Sequence, residues 1–162
     1  MAEKQISAES LALFESLMEA QPEMLHALPE YKAFPQGSFL CKLKCDPKEG
    51  VRELNGSPYL AVDFVLEDGG VESVGEGVEQ QDIPNVNDTC SILFRLDDEL
   101  GQGRLRNFLI ALKVSMGKSD QQMANSEILA TAHDSLVRAA FRKPREKDDK
   151  KYANLAGVEF VG

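Results

Sequence analysis

The sequence lacks tryptophan and contains only two histidines and three cysteines among its 162 residues. His26 and His133 are far apart, and neither has a cysteine or histidine partner at the spacing of a metal-binding pair. An odd number of cysteines without a repeating spacing does not make a disulfide framework. We therefore interpret the cysteines as small core residues of a protein in a reducing compartment, and we predict neither a metal nor a cofactor.

The motifs that mark common catalytic sites are also missing. There is no G-x-S-x-G nucleophile elbow, no G-x-x-x-x-G-K-[ST] phosphate loop and no strand-linked G-x-G-x-x-G. The cluster Asp97, Asp98 and Glu99 leaves a magnesium-dependent nuclease open as an alternative. Three adjacent carboxylates point in different directions, however, which favours a solvated turn. We predict that the chain is not an enzyme.

Long apolar runs are absent as well. No stretch approaches the roughly 18 apolar residues that cross a membrane, and the opening MAEKQISAES contains no signal-like apolar segment. We expect a cytoplasmic protein that does not contact a membrane.

Positive charge is scarce in one part of the chain and concentrated in another. The net charge is −9. Residues 67–103 contain one basic and ten acidic side chains, whereas residues 104–162 contain eleven basic and seven acidic ones. The sequence is therefore polarised, with an acidic middle and a basic last third.

Apolar periodicity predicts a helix followed by a strand-rich domain. Residues 7–20 have helical spacing with Ser7 as N-cap, residues 21–37 form a proline-containing connector, and Asn55-Gly56 is a candidate hairpin tip. The acidic segment 68–88 has four glycines and is interpreted as an exposed loop or flexible β-ribbon. Alternation predicts five strands, at residues 38–45, 59–67, 90–97, 135–145 and 152–162. Between the third and fourth strands, helical spacing predicts a helix at residues 104–116 and a shorter helical stretch around residues 120–131.

This order predicts the fold. Five short, largely antiparallel strands with a helix between strands 3 and 4 have the connectivity of an OB-like barrel, here with an extra N-terminal helix. We expect a β-rich α+β protein with one structural domain overall, in which residues 1–37 form the N-terminal helix and connector and residues 38–162 the barrel. A generic α+β sandwich of the same strands is the alternative.

Basic and aromatic residues on the outer faces of these strands suggest a nucleic-acid surface. Single strands are bound by cations that meet phosphates and by aromatic faces that stack bases. The alternative for each cation is a solvated surface position, and for each tyrosine a half-buried barrel position. The candidates are Lys42, Lys44, Tyr59, Arg95, Arg138, Arg142, Lys143, Arg145, Lys150, Lys151 and Tyr152.

Three patterns resemble a group of phage and prophage proteins linked to single-stranded-DNA binding. They are the lead Phe34–Phe39 into the first strand, the helix start RLRNFL at 104–109, and the basic strand that passes through a polar turn to Tyr152–Leu155. The resemblance covers about residues 34–161 and implies an OB-like protein in the cytoplasm of a bacterial host that binds single strands without chemistry and self-associates. The chain departs from many such proteins by ending in VEFVG rather than in an acidic tail.

These observations lead to one prediction and one rival. We expect a phage-type single-stranded-DNA-binding protein that acts in replication or recombination, with a replication or host protein as a candidate partner and the N-terminal helix as a candidate contact for a homo-oligomer. The rival is an adaptor or inhibitor whose acidic segment 67–99 mimics nucleic acid.

Overall fold

Alternating apolar and polar side chains build a single antiparallel sheet. A computed structural model of the chain describes residues 7–22 and 30–162, and there the protein is a strand-rich α+β structure. The helices are α1 (Ala8–Glu19), α2 (Pro47–Gly50), α3 (Glu99–Ser115) and α4 (Asn125–Ala132). The strands are β1 (Gly37–Lys44), β2 (Val51–Leu54), β3 (Ser57–Val74), β4 (Thr89–Arg95), β5 (Leu136–Lys147) and β6 (Lys150–Phe160).

The sheet has six strands in the order β2-β3-β1-β5-β6, and β4 also pairs with β3. Tyr59 pairs with Arg52 of β2 and with Arg95 of β4, so these two strands flank the start of β3. The α+β class is confirmed. The expected count of five strands is wrong, and within residues 7–22 and 30–162 no ladder joins β4 to β6, so the sheet is not closed.

The additional strand, β2, follows from a tight turn. Asn55 and Gly56 have φ values of 52° and 80°, as a two-residue hairpin loop requires. The predicted tip at Asn55-Gly56 is therefore confirmed, but the strand before it was not predicted. All four residues of β2 are exposed, so VREL has no buried apolar alternation to reveal it.

The first third of the glycine-rich acidic segment lies in the sheet. Residues 67–74 continue β3 and pair with the start of β1 across a bulge between Leu66 and Val71. Gly70 is buried there, and a Cβ at this position would lie 2.4 Å from the carbonyl oxygen of Leu40. Here glycine permits close strand packing and does not mark a loop.

A cluster of phenylalanines fills the core between the sheet and the helices. Phe64 packs edge-on against Phe108 of α3 and Phe141 of β5, with ring centroids 6.4 and 5.8 Å apart. Phe34 and Phe39 are fully buried and lie 5.2 Å apart. The inner faces predicted for the strands therefore form one hydrophobic core with α3 and α4.

Helix α3 begins five residues before the predicted position, since the predicted start was 104 and the observed start is Glu99. The Asp98 side chain caps it by accepting a hydrogen bond from the Gly101 amide over 3.0 Å. Gly101 is buried, and a Cβ there would lie 2.1 Å from the carbonyl oxygen of Arg95. The glycine allows α3 to pass close to the end of β4.

The chain before β1 is attached to β4. The Thr89 amide donates to the Glu30 carbonyl over 2.8 Å, and the Lys32 amide donates to the Thr89 carbonyl over 2.9 Å. The buried carboxylate of Asp88 accepts a hydrogen bond from the Glu30 amide over 3.0 Å. This part of the predicted connector therefore packs on the sheet, whereas residues 23–29, including His26, lie outside the described part of the chain.

The predicted N-terminal helix is confirmed as α1, and the Ser7 hydroxyl caps it by accepting from the Ser10 amide over 3.1 Å. None of the helices in the described part of the chain is long and apolar enough to cross a membrane.

Candidate nucleic-acid interface

One row of side chains places a tyrosine between two arginines. Tyr59 of β3 lies directly opposite Arg52 of β2 on one side and Arg95 of β4 on the other. Directly opposed residues point to the same face of a sheet with Cβ atoms about 4.5–5.5 Å apart. Tyr59 is half-buried, and both arginines are exposed. The row thus combines an aromatic ring with two cations across three strands.

Further rows extend the same face along β3. Lys44 of β1 lies opposite Asp63, and Lys42 lies opposite Val65. Asp63 and Val65 follow Tyr59 at even spacing along β3, so their side chains and the two lysines point to the same face of the sheet as Tyr59. From Tyr59 to Val65 the strand rises about 20 Å. We call the outward-pointing set Lys42, Lys44, Arg52, Tyr59 and Arg95 the β3 face.

Carboxylates hold two of the four cations on the β3 face. The Arg95 guanidinium donates from Nε to Oδ1 of Asp97 over 2.5 Å, and Lys44 forms an ion pair with Asp134. These contacts lower the pKa of Asp97 and of Asp134 below the usual value, so both carboxylates are ionised at neutral pH.

Asp63, opposite Lys44, adds a third negative charge to this face. Its carboxylate accepts a hydrogen bond from the Ser91 hydroxyl over 2.5 Å. Lys42 and Arg52 form no ion pair within the described residues. The β3 face is therefore nearly balanced in charge, and phosphate would have to replace Asp97 and Asp134 to engage all four cations.

Arg138 is held more firmly by carboxylates than any other candidate. Its Nε donates to Glu72 over 2.6 Å, and its NH1 nitrogen donates to Glu159 over 3.3 Å. The hydrogen bond from Arg138 lowers the pKa of Glu72. In this structure, Arg138 connects β5 to the extended part of β3 and to β6.

The remaining candidates lie on the distal half of the β5–β6 hairpin, residues 142–152, which we call the basic arm. Asp148 and Asp149 form its turn with φ values of 53° and 63°, and Arg145 lies opposite Tyr152, whose exposed fraction is 51%. Lys151 pairs with Asp82 over 3.8 Å. The predicted residues on this arm are Arg142, Lys143, Arg145, Lys150, Lys151 and Tyr152, and all are exposed.

The basic arm and the Tyr59 row lie at opposite ends of the sheet. Gly37 at the start of β1 pairs with both Val74 and Phe141, so the arm extends from the end that carries the acidic part of β3. The Tyr59 row lies beyond the other end of β1. The structure therefore separates the predicted residues into the β3 face and the basic arm, with Arg138 between them opposite Leu40.

Groups that could support chemistry have structural contacts. Asp97 pairs with Arg95 and Asp98 caps α3, so the acidic cluster does not converge. Burial raises the pKa of each cysteine thiol to about 12, which disfavours a reactive thiolate at Cys41, Cys45 and Cys90. Within the described residues, no three histidine, cysteine, aspartate or glutamate side chains are placed to hold a metal ion.

Sequence reasoning missed Arg52 and Tyr31. A two-residue turn at Asn55-Gly56 implies that Arg52 lies opposite Tyr59, so the hairpin signal contained the information. Tyr31, 75% exposed, lies beside the start of β4 through a parallel bridge to Thr89. No pattern in the connector indicated that placement.

No protein-family model matches the sequence, and a comparison with curated proteins gives no match.

Proposed function

We propose that this chain binds single-stranded DNA without chemistry, through the β3 face, during phage replication or recombination in the bacterial cytoplasm. The observation that carries the proposal is the row in which Tyr59 lies between Arg52 and Arg95. A base can stack on the face of the half-buried tyrosine ring while the flanking guanidinium groups meet the phosphates on either side.

The size of the β3 face supports the same function. Its rise of about 20 Å along β3 accommodates a few nucleotides, near the lower limit of about 4 per OB domain. Lys44 and Lys42 lie two and three outward rows beyond Tyr59, so a strand that follows β3 meets a cation at three of these four rows, the Ala61 row being the exception. The basic arm would add contacts to a longer strand.

The strand connectivity supports an OB-type relationship, which we also propose. β1, β3 and β4 form a meander, α3 follows, and the β5–β6 hairpin returns to pair with β1. OB domains bind oligonucleotides on the face of their second and third strands. In this chain those strands are β3 and β4, which carry Tyr59 and Arg95.

The carboxylates on the β3 face support binding that is moderate and sensitive to salt. A phosphate must displace Asp97 from Arg95 and Asp134 from Lys44, so part of each phosphate contact replaces an existing ion pair. Such exchange costs affinity on duplexes and single strands alike. Only a single strand also exposes unpaired bases for stacking on Tyr59.

A second candidate function rests on the acidic segment. Asp68, Glu76 and Glu79 are exposed, form no ion pair within the described residues, and lie in or between the end of β3 and a 3₁₀ turn at Gln80–Asp82. A fixed array of carboxylates can mimic nucleic acid and bind a basic site on a host protein. Replacing these three carboxylates by amides abolishes partner capture in that case and leaves DNA binding intact.

The test of the main proposal is a fluorescence-anisotropy titration of a labelled oligothymidine of about 30 nucleotides at low and moderate salt. Saturable binding to the single strand, weaker at moderate salt and much weaker on a duplex of equal length, is expected. Equal binding to both nucleic acids contradicts the stacking argument. Absence of binding to either at low salt refutes the function and leaves the acidic segment as the working interface.

A further inference from the structure

A groove of about 750 Å³ lies between α3 and α4. Its lining is mixed: Leu105 and Leu109 of α3, Met123 and Ile128 are apolar, and polar side chains such as Gln102 and Asn125 lie among them. Ile110 lies on its open side and is 42% exposed. Apolar side chains that line an open groove on a helix pair form a surface suited to an amphipathic helix.

The chain itself contains such a helix. Leu11, Phe14 and Met18 recur at the i, i+3, i+7 spacing of one helical face. Phe14 is 58% and Met18 62% exposed, and no residue of α1 is buried. Within residues 7–22 and 30–162, no hydrogen bond joins α1 to the sheet or to another helix. The apolar face of α1 therefore has no partner among the residues that the structure describes.

The charges of helix and groove are complementary. Between Ala8 and Glu19 the helix contains Glu9, Glu15 and Glu19 and no basic residue. The rim of the groove contains Arg106 and Lys113, with Glu99 at one end. An acidic helix in this groove would place its carboxylates beside the two cations of the rim.

The lengths are compatible as well. Helix α1 has 12 residues, about 18 Å, and α3 has 17, about 25 Å, so α1 fits along α3 without overhanging it. Ten residues, 20–29, separate α1 from the segment that is bonded to β4. Fully extended, that stretch reaches about 35 Å, enough for α1 to leave its own domain.

We propose that α1 of one copy of this chain lies in the α3–α4 groove of a second copy, and that the exchange is reciprocal. Each copy then supplies one helix and one groove, so the contacts close under a two-fold axis as in most homodimers. Leu11, Phe14 and Met18 fill the groove, and the glutamates of α1 meet Arg106 and Lys113. The inference is independent of DNA binding.

Sedimentation velocity of the full-length chain and of three variants tests the proposal. The wild type is expected at twice the chain mass of 17.9 kDa. Phe14→Asp removes the helix from the contact and Ile110→Asp blocks the groove, so each weakens dimerisation on the order of tenfold or more. Leu100→Asp is the matched control, because Leu100 is an exposed leucine of α3 outside the groove and its variant stays dimeric.

Mixing distinguishes this arrangement from its rivals. A mixture of the Phe14→Asp and Ile110→Asp chains retains one intact helix and one intact groove, so a heterodimer forms, which native mass spectrometry detects when one chain is labelled with ¹⁵N. Thermal melts verify that each variant is folded, as expected for substitutions at exposed positions. A monomeric wild type overturns the proposal. So does a dimer that is lost in Phe14→Asp but kept in Ile110→Asp, because that result means α1 pairs with α1.

Discussion

Removing one carboxylate from the β3 face should strengthen DNA binding. Asp97→Asn leaves Arg95 without its charged partner at 2.5 Å, so the guanidinium becomes available to a phosphate. Each phosphate neutralised on a single strand contributes about −0.7 to the slope of log K against log salt. Lys42 and Arg52 alone predict a slope of about −1.4, and all four cations predict about −2.8.

The wild-type slope should therefore lie between these limits, and that of Asp97→Asn should be steeper by about 0.7. Between 200 and 50 mM salt, the affinity gain of the variant over the wild type should grow by about 2.5-fold. Anisotropy titrations with oligothymidine at four salt concentrations measure the slopes. Glu76→Gln makes the same charge change just beyond Val74, which pairs with Gly37 at the opposite end of β1 from the Tyr59 row, and is the control. If both variants have the wild-type slope, Arg95 does not meet a phosphate and the reasoning fails.

Three further predictions concern the fold. Gly101→Ala should destabilise the protein, because the new Cβ would lie 2.1 Å from a carbonyl oxygen. Gly103→Ala, whose Cβ would have nothing within 4 Å, should stabilise α3 by about 1 kcal/mol. Urea melts in which Gly101→Ala is the more stable of the two variants contradict the packing described for α3. Phe64→Ala should cost about 3–5 kcal/mol in the free energy of unfolding, and a loss below 1 kcal/mol in the same assay argues against the aromatic core. Burial raises the pKa of the three thiols from 9.0 to about 12, so their contribution to stability is complete below pH 9 and declines as the pH rises towards 12. The urea midpoint should fall above pH 9 and iodoacetamide should modify the native thiols only slowly, whereas rapid modification at pH 7 means that they are accessible.

Strong alternation made most of the strands predictable. The run SFLCKLKC buries every second side chain in β1, and CSILFRLD gave β4 within two residues of its bounds. Both runs pack against the core on one face only, so burial imposes period two on their sequences. Helix α3 was predictable for the same reason at period 3.6, and α1 from its apolar spacing alone, since none of its residues is buried.

Features that depend on backbone geometry or on distant partners were not predictable. β2 is held by a turn and has no buried face. Gly101 and Gly70 are typical of breaks in a helix and a strand, and only the neighbouring carbonyl groups explain why glycine stands inside these elements. The pairing of Arg138 with Glu72 joins residues 66 positions apart. A basic residue in the sequence therefore indicated an exposed cation without indicating the carboxylate that neutralises it.

The most direct test of single-strand binding by the β3 face compares two double charge reversals that change the net charge equally. Arg52→Glu with Arg95→Glu alters the Tyr59 row, and Arg104→Glu with Lys118→Glu alters an exposed residue of α3 and a partly exposed residue after it. We predict that the first variant loses affinity for oligothymidine by on the order of 100-fold at low salt, while the second stays within a few-fold of the wild type. Equal losses in the two variants would contradict the assignment, since only net charge would then matter.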